Sequence, residues 1–233
     1  MSETNINESS IWKYFKNKGL SDFAVAGIMG NLYAESGLNT NNLENYYENK
    51  LGLSDDEYTQ AVDNGNYDNF VHDKAGYGLA QWTFWSRKEG LLNYAKSLGV
   101  SISDLEMQLN YLWQELIDSS IIESLKSVNS VKEASNIMLL EFERPADQSE
   151  RVQNLRASYS QEFYEDYALS NKIDKNEAED MKRYNTLAEI PEWAKTTITR
   201  MINQGILKGN GNDLDLSEDM LRMCVIFERW IQR

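Results

Sequence analysis

A glutamate that closes an apolar helical stripe is the first residue of this chain placed to do chemistry. In the stretch leading to Asn31-Leu-Tyr-Ala-Glu35-Ser-Gly37, residues Ala24, Ile28, Leu32 and Glu35 step along roughly one helical face. Glu35 falls in the final turn, at the negative end of the helix dipole and among apolar neighbours. Both conditions disfavour the charged form. A carboxylic acid that keeps its proton near neutral pH can donate it to a leaving oxygen, a glycosidic one for example. The same spacing also suits a solvated residue at a helix end. A second segment, Asp73-Lys-Ala-Gly76-Tyr77-Gly78-Leu79-Ala80-Gln81-Trp82, sets two glycines around an aromatic and follows them with Gln-Trp. Such a run suits a tight turn that presents side chains along a groove. Aromatic faces stack on the C–H surfaces of sugars, and amides hydrogen-bond their hydroxyls. Trp82 and Trp85 flank this turn and are the tryptophans placed to touch sugar. A hairpin whose aromatics belong to the core is the other reading of the same residues.

Other chemistries are limited by what the chain lacks. With one histidine, His72, and one cysteine, Cys224, it has neither a multi-histidine metal site nor a disulfide framework, so no metal or cofactor is expected. Its 37 acidic and 23 basic residues give a net charge of −14, the wrong sign for wrapping a nucleic-acid backbone. No apolar run approaches the ~20 residues that span a bilayer. The N-terminus MSETNINESS has neither the basic nor the apolar segment of a secretory signal. The expectation is a protein that starts in the cytosol.

The elements that must carry these residues are mainly helical. Ser21 suits the cap of a helix running through Glu35, with Gly37 just past its end. Gly27 and Gly30 fall inside that helix, where each costs ~1 kcal/mol against alanine, and mark a place where another backbone comes close. Ser54/Glu57, Ser103/Glu106 and Ser130/Glu133 each fit the capping box. Leu105, Leu109, Leu112, Trp113 and Leu116 form one buried stripe; Val131, Ala134, Ile137, Met138 and Glu141 continue the pattern on the next helix, stopped by Pro145. Asp147 opens a last helix with Val152, Leu155, Tyr159, Phe163 and Tyr167 on its apolar face. Residues 65–82, rich in Gly, Asn and Asp, are the best candidate for non-helical structure. Phe142-Glu143-Arg144-Pro145 reads as a helix end whose internal ion pair fixes a groove wall; a second acid at Glu143 is the other reading.

Three blocks, GIMGNLYAESGL, FVHDKAGYGLAQWTFWSRK and FERPADQSE, stand here in order and resemble the phage tail lysozyme family, within the goose-type lysozyme and lytic transglycosylase superfamily. The resemblance covers roughly residues 9–168. It implies a lysozyme-like fold and a peptidoglycan substrate, cleaved between N-acetylmuramic acid and N-acetylglucosamine. On it, Glu35 becomes the general acid, and Gln81 with Tyr77 lines the sugar groove. Asp73 roughly matches an acidic position of the superfamily and becomes the water-activating base of an inverting hydrolysis. A structural turn-capping role for Asp73 stays open beside this. If no second carboxylate is placed, the sugar's own 6-hydroxyl attacks and the product is that of a transglycosylase.

The expected organisation is a catalytic domain over residues 1–170, a linker at 171–182 and a small helical module at 183–233. The last part holds seven basic and seven acidic residues, so the whole net charge lies before it. Pro191 suits the first turn of one helix and Ser217 the cap of another. Trp193, Ile198, Met201, Ile202 and Gly205 within this part resemble an S-layer homology repeat, which implies wall binding or pairing with a second copy of the chain. The favoured role is a stand-alone endolysin, held in the host cytoplasm until release and then acting on the cell wall. A non-catalytic virion component that grips peptidoglycan is the alternative.

Overall fold

The computed structural model describes residues 3–169, 183–209 and 213–231, and the chain divides into two compact units, Met1–Leu169 and Ser170–Arg233. The linker expected at 171–182 lies outside the described residues. The first unit is built from α1 (Glu3–Asn17), α2 (Asp22–Ser36), α3 (Asn45–Leu51), α4 (Asp55–Asp63), α5 (Trp85–Leu98), α6 (Leu105–Asp118), α7 (Ile121–Ser127), α8 (Val131–Ile137) and α9 (Glu150–Tyr164). A π-helical turn, Met138–Glu143, continues α8, and another, Glu165–Leu169, continues α9.

Helix α2 is the axis of this unit. Every residue from Ala24 to Leu32 is buried, so the helix is enclosed all round, as its nearly continuous apolar sequence requires. The two mid-helix glycines show how its neighbours come so close. A Cβ on Gly27 would stand 2.5 Å from Ala134 Cβ on α8, and one on Gly30 would stand 2.6 Å from Ser160 Cα on α9. Helices α8 and α9 therefore pack on α2 almost backbone to backbone. Ser21 caps α2 by accepting the Ala24 N–H at 3.2 Å, and Gly37 ends it in the left-handed conformation at φ 61°.

Several expectations shift by a residue or a face. The Ser54/Glu57 capping box forms in full. At α8, Ser130 accepts the Glu133 N–H, while the Glu133 carboxylate reaches back to the Asn129 N–H instead. At α6 the cap is Asp104 rather than Ser103: its carboxylate accepts the Met107 N–H at 2.8 Å. On α9 the buried side chains are Arg156, Ser160 and Phe163, and Leu155 is exposed. Of the stripe read from apolar residues, Phe163 lies on this face; what α9 sets against Gly30 is a serine, which that stripe did not include. Residues 65–82 are turns, with an isolated β-bridge between Leu43 and Tyr77.

The second unit pairs β1 (Arg183–Tyr184) antiparallel with β2 (Leu216–Ser217) and adds α10 (Glu192–Asn203) and α11 (Glu218–Ile231). Tyr184, Ile190, Ala194, Ile198, Leu216, Leu221 and Val225 form its small core. Pro191 directly precedes α10 rather than occupying its first turn, and the Ser217 hydroxyl accepts the Met220 N–H at 3.2 Å. Trp193, Met223 and Ile226 are exposed, and the side chain of Trp230 lies outside the described residues. Among the described residues no helix is long and apolar enough to cross a membrane.

Candidate active site

Helix α2 emerges from the core at its last turn and carries Glu35 with it. The Glu35 side chain is 20% exposed, so its carboxylate reaches solvent while its backbone stays anchored. Apolar surroundings hold on the helix side only. At the carboxylate the neighbour is Arg156 of α9, whose Nη2 donates to Glu35 Oε1. Arg156 is held in turn by α2: its Nη1 donates to the carbonyl of Asn31 at 3.3 Å and to Asn31 Oδ1 at 3.4 Å. Asn31 Nδ2 donates to Gly27 O at 2.9 Å and Ser135 O at 3.1 Å, which locks α8 to the same network. Three helices thus fix one carboxylate. Ser36 adds a fourth tie, its hydroxyl donating to Leu79 O at 2.9 Å and bringing the Gly-Tyr-Gly-Leu turn against the end of α2.

A second carboxyl, that of Glu143, feels the charge of Glu35. The π-helical turn ends at Glu143, after which Arg144 takes the left-handed conformation at φ 48° and its N–H bonds to Leu139 O at 2.9 Å. Wide turns of this kind re-aim side chains and are frequent at functional sites. Here the turn sends Glu143 inward: its Oε1 is wholly enclosed and has no hydrogen-bond partner. Burial first, and then the negative charge of Glu35, push the Glu143 carboxyl up to about 8, against the pull of Arg87 and Arg156. Arg144 does not pair with Glu143, as the motif suggested; its Nε donates to Glu141 O at 2.8 Å. Arg87 of α5 is committed elsewhere, gripping Glu115 of α6 with two bonds of 2.7 and 2.9 Å.

The turn over residues 76–85 is clamped from below by Gln108. That fully buried amide accepts the Leu79 N–H at 3.0 Å and donates to Thr40 O and Ile102 O, each at 2.7 Å. Two of the four residues expected to line a groove prove to be core. Tyr77 is 0% exposed, its hydroxyl bonded to Thr59 Oγ1 at 2.6 Å, and Trp82 is 0% exposed with Nε1 donating to Glu115 Oε2 at 2.8 Å. Side chains without accessible surface cannot stack on a sugar. Gln81 is partly exposed and sits at φ 44°, a strained position for a non-glycine, with its amide donating to Asn42 Oδ1 at 2.8 Å. Trp85 is 49% exposed and, with Phe84, His72 and Lys74, walls an apolar cleft of about 420 Å³. Of the four, Gln81 and Trp85 remain available to a ligand.

Asp73 is turned away from any such role. Its carboxylate pairs with Lys88 at 2.6 Å and accepts from Tyr58 at 2.5 Å, Tyr67 at 3.2 Å and the Ala75 N–H at 2.9 Å. Asp73 and Lys88 are 3% and 0% exposed. Burial pushes the Lys88 ammonium down, against the pull of Asp73, and a Lys88 Nζ bond to Ala75 O at 2.8 Å completes the hub. A carboxylate with all these donors and no access to water has nothing left with which to activate a nucleophile.

The side chains brought together at the mouth of α2 are therefore Glu35, Glu143 and Arg156, with Arg87 and Glu115 behind them. Glu143 was visible in the sequence as a helix end, with a second acid as the other reading, and Arg156 was missed. The signal for Arg156 was Gly30, which asks for a small residue opposite; Ser160 meets that demand, and Arg156 stands one turn before it. Among the described residues no cluster of three His, Cys, Asp or Glu side chains is arranged to hold a metal ion. What the arrangement offers is proton transfer at a fixed, partly exposed carboxyl.

Comparison with known proteins follows this geometry. The family model described as phage tail lysozyme matches residues 6–167. Morphogenesis protein 1 of Bacillus phage B103 is 27% identical over 168 residues, which is 68% of this chain and 39% of that protein. The chain thus spans about two fifths of the length of that relative.

Proposed function

The chain belongs to the phage tail lysozyme family, and from that premise we propose that its first unit hydrolyses the β-1,4 bond between N-acetylmuramic acid and N-acetylglucosamine in bacterial peptidoglycan, with Glu35 as general acid. The observation that carries this reading is the placement of Glu35: a partly exposed carboxyl at the end of a helix buried from Ala24 to Leu32, fixed by Arg156. Glu35 donates to the glycosidic oxygen as the C1–O bond breaks, and water completes the hydrolysis. Gln81 and Trp85 are the groove residues, and Asp73 belongs to the scaffold. The test is Glu35→Gln, which is nearly isosteric and still accepts a bond from Arg156. Clearance of purified cell walls should fall by at least about 10²-fold, with the melting temperature little changed. Activity within a few-fold of wild type would overturn the assignment.

The enclosure of Asp73 favours a second reading for the product. Without a separate base the sugar's 6-hydroxyl attacks, as in a lytic transglycosylase, and the released muropeptides are lighter by one water. Mass spectrometry of those products separates the two outcomes. The biological setting also has two forms: lysis of the host as an endolysin, or local opening of the wall by a virion. The name of the phage B103 relative supports the second. Peptide mass spectrometry of purified particles decides between them. To the second unit we assign wall binding or self-association through its exposed Trp193, Met223 and Ile226.

A further inference from the structure

The outer face of α11 is apolar where a surface helix is ordinarily polar. Its inner face is engaged within the second unit: Leu221 and Val225 lie in the small core, and the Glu228 carboxylate accepts from Thr197 and pairs with Arg200 at 2.5 Å. The other side carries Met220, Met223, Ile226 and Phe227, all exposed and spaced to form one stripe along the helix. Met223 at 71% and Ile226 at 65% are the most exposed large apolar side chains among the described residues. A contiguous stripe of this kind marks a contact surface, whereas single exposed apolar residues do not. The charges along it identify the contact. Glu218 and Arg222 pair with each other at 3.3 Å. Among the described residues, Asp219 and Arg229 are then the charged side chains of α11 left without a partner.

We propose that α11 is the seam of a homodimer: two copies of the chain pair through their second units with the α11 helices antiparallel, Met223 and Ile226 of one copy packing on those of the other. The proposal rests on the self-association reading of the second unit and is independent of the chemistry at Glu35. The helix is complementary to itself only when reversed. Asp219 and Arg229 are ten positions apart, ~15 Å along the axis, with Cys224 midway between them. Met223 and Ile226 lie within one turn of that midpoint. Asp219 neighbours Met223 at a spacing of four, and Arg229 neighbours Ile226 at a spacing of three, so both charges flank one edge of the stripe. A two-fold axis at the level of Cys224 sets Asp219 of each copy level with Arg229 of the other while the apolar stripes meet between them. In a parallel pair, like charges would meet instead. Sugar rings are gripped by flat aromatic faces and hydrogen-bonding groups. A stripe led by methionine and isoleucine, with one charge of each sign, matches a second such helix better.

Sedimentation velocity of the full chain, with light scattering for mass, tests the pairing. The wild type should run as a dimer, at twice 26.9 kDa, in the micromolar range. Met223→Glu should run as a monomer, because it sets two carboxylates in the seam, and its circular dichroism should match wild type, because Met223 is exposed. Charge exchange reads the orientation. Asp219→Arg and Arg229→Asp each turn two attractive contacts into two repulsive ones, so each alone should raise the dimer Kd by about ten-fold or more at low salt. The double variant Asp219→Arg/Arg229→Asp, and an equimolar mixture of the two single variants, should each recover the wild-type Kd to within about three-fold. A wild type that stays monomeric throughout the micromolar range would overturn the proposal. If that monomer still needs Met223 to sediment with purified walls, the pairing fails and the wall-binding assignment stands. A trimer or larger assembly would overturn the two-fold arrangement. Single charge variants that dimerise as tightly as wild type would overturn the antiparallel seam.

Discussion

Two buried carboxyls in this molecule meet opposite conditions, and their substitutions should behave oppositely. Asp73 is a charge supplied with every partner it can take. Asp73→Asn strands the Lys88 ammonium, which is 0% exposed, so the expected cost is about 3–5 kcal/mol of stability. Calorimetry should show that loss, while activity per folded molecule stays within a few-fold; a rate loss of about 10²-fold or more without destabilisation would restore Asp73 as a base. Glu143 is a carboxyl whose charged form is disfavoured by its enclosure. Its carboxyl is raised to about 8 in the folded state, against an ordinary value near ~4.3. The stability it contributes is therefore complete below about pH 4 and is lost as pH rises through about 8, on the order of a few kcal/mol at most. The melting temperature of wild type should fall across this window relative to that of Glu143→Gln. Parallel profiles would show that Glu143 does not carry the proton.

At the scale of helices, the contact of α2 with α9 decides whether the acid is in place. Gly30→Ala improves helix propensity by ~1 kcal/mol but drives a methyl into the Ser160 backbone. Overpacking costs about 1–3 kcal/mol, and the methyl meets the Ser160 main chain as well as its hydroxyl, so the net effect should be destabilising. Separation of the helices also carries Arg156 away from Glu35, so kcat should drop together with the melting temperature. A variant as stable and active as wild type would show that α9 can retreat freely. This contact also shows what could be read beforehand. Ser21, Gly37 and the Ser54/Glu57 box were legible because a cap is settled within a few residues of chain. The two mid-helix glycines were legible as a close approach, but not its partner, because Arg156 and Glu35 are 121 positions apart. Glu143 was obscured by the π-helical turn, since a 3.6-residue period assigns the wrong face to a stretch that does not keep it. Tyr77 and Trp82 carry the residue types of a sugar site and the burial of a core. Only the packing of Thr59 and Glu115 against them tells the two apart.

For the molecule as a whole, the family match and the proposed site both fall in the first unit. Residues 1–169 produced alone should keep the wall-cleaving rate on soluble glycan fragments, and should lose only what binding to intact walls contributes. Sedimentation of the truncated and full chains with purified walls, and light scattering of both, measure wall binding and self-association separately. Equal wall binding by both would remove the targeting role of the second unit, and a monomeric full chain would remove the pairing role. The way α2 is enclosed has one more consequence. The helix that presents Glu35 is also the most deeply packed element of its unit, and Arg156 and Asn31 tie α8 and α9 to the same spot. The amides of α2 should be among the last to exchange with deuterated water, at the free energy of global opening. Heating should accordingly leave no interval in which the protein is folded but inert, and its residual activity should trace the fraction still folded degree by degree.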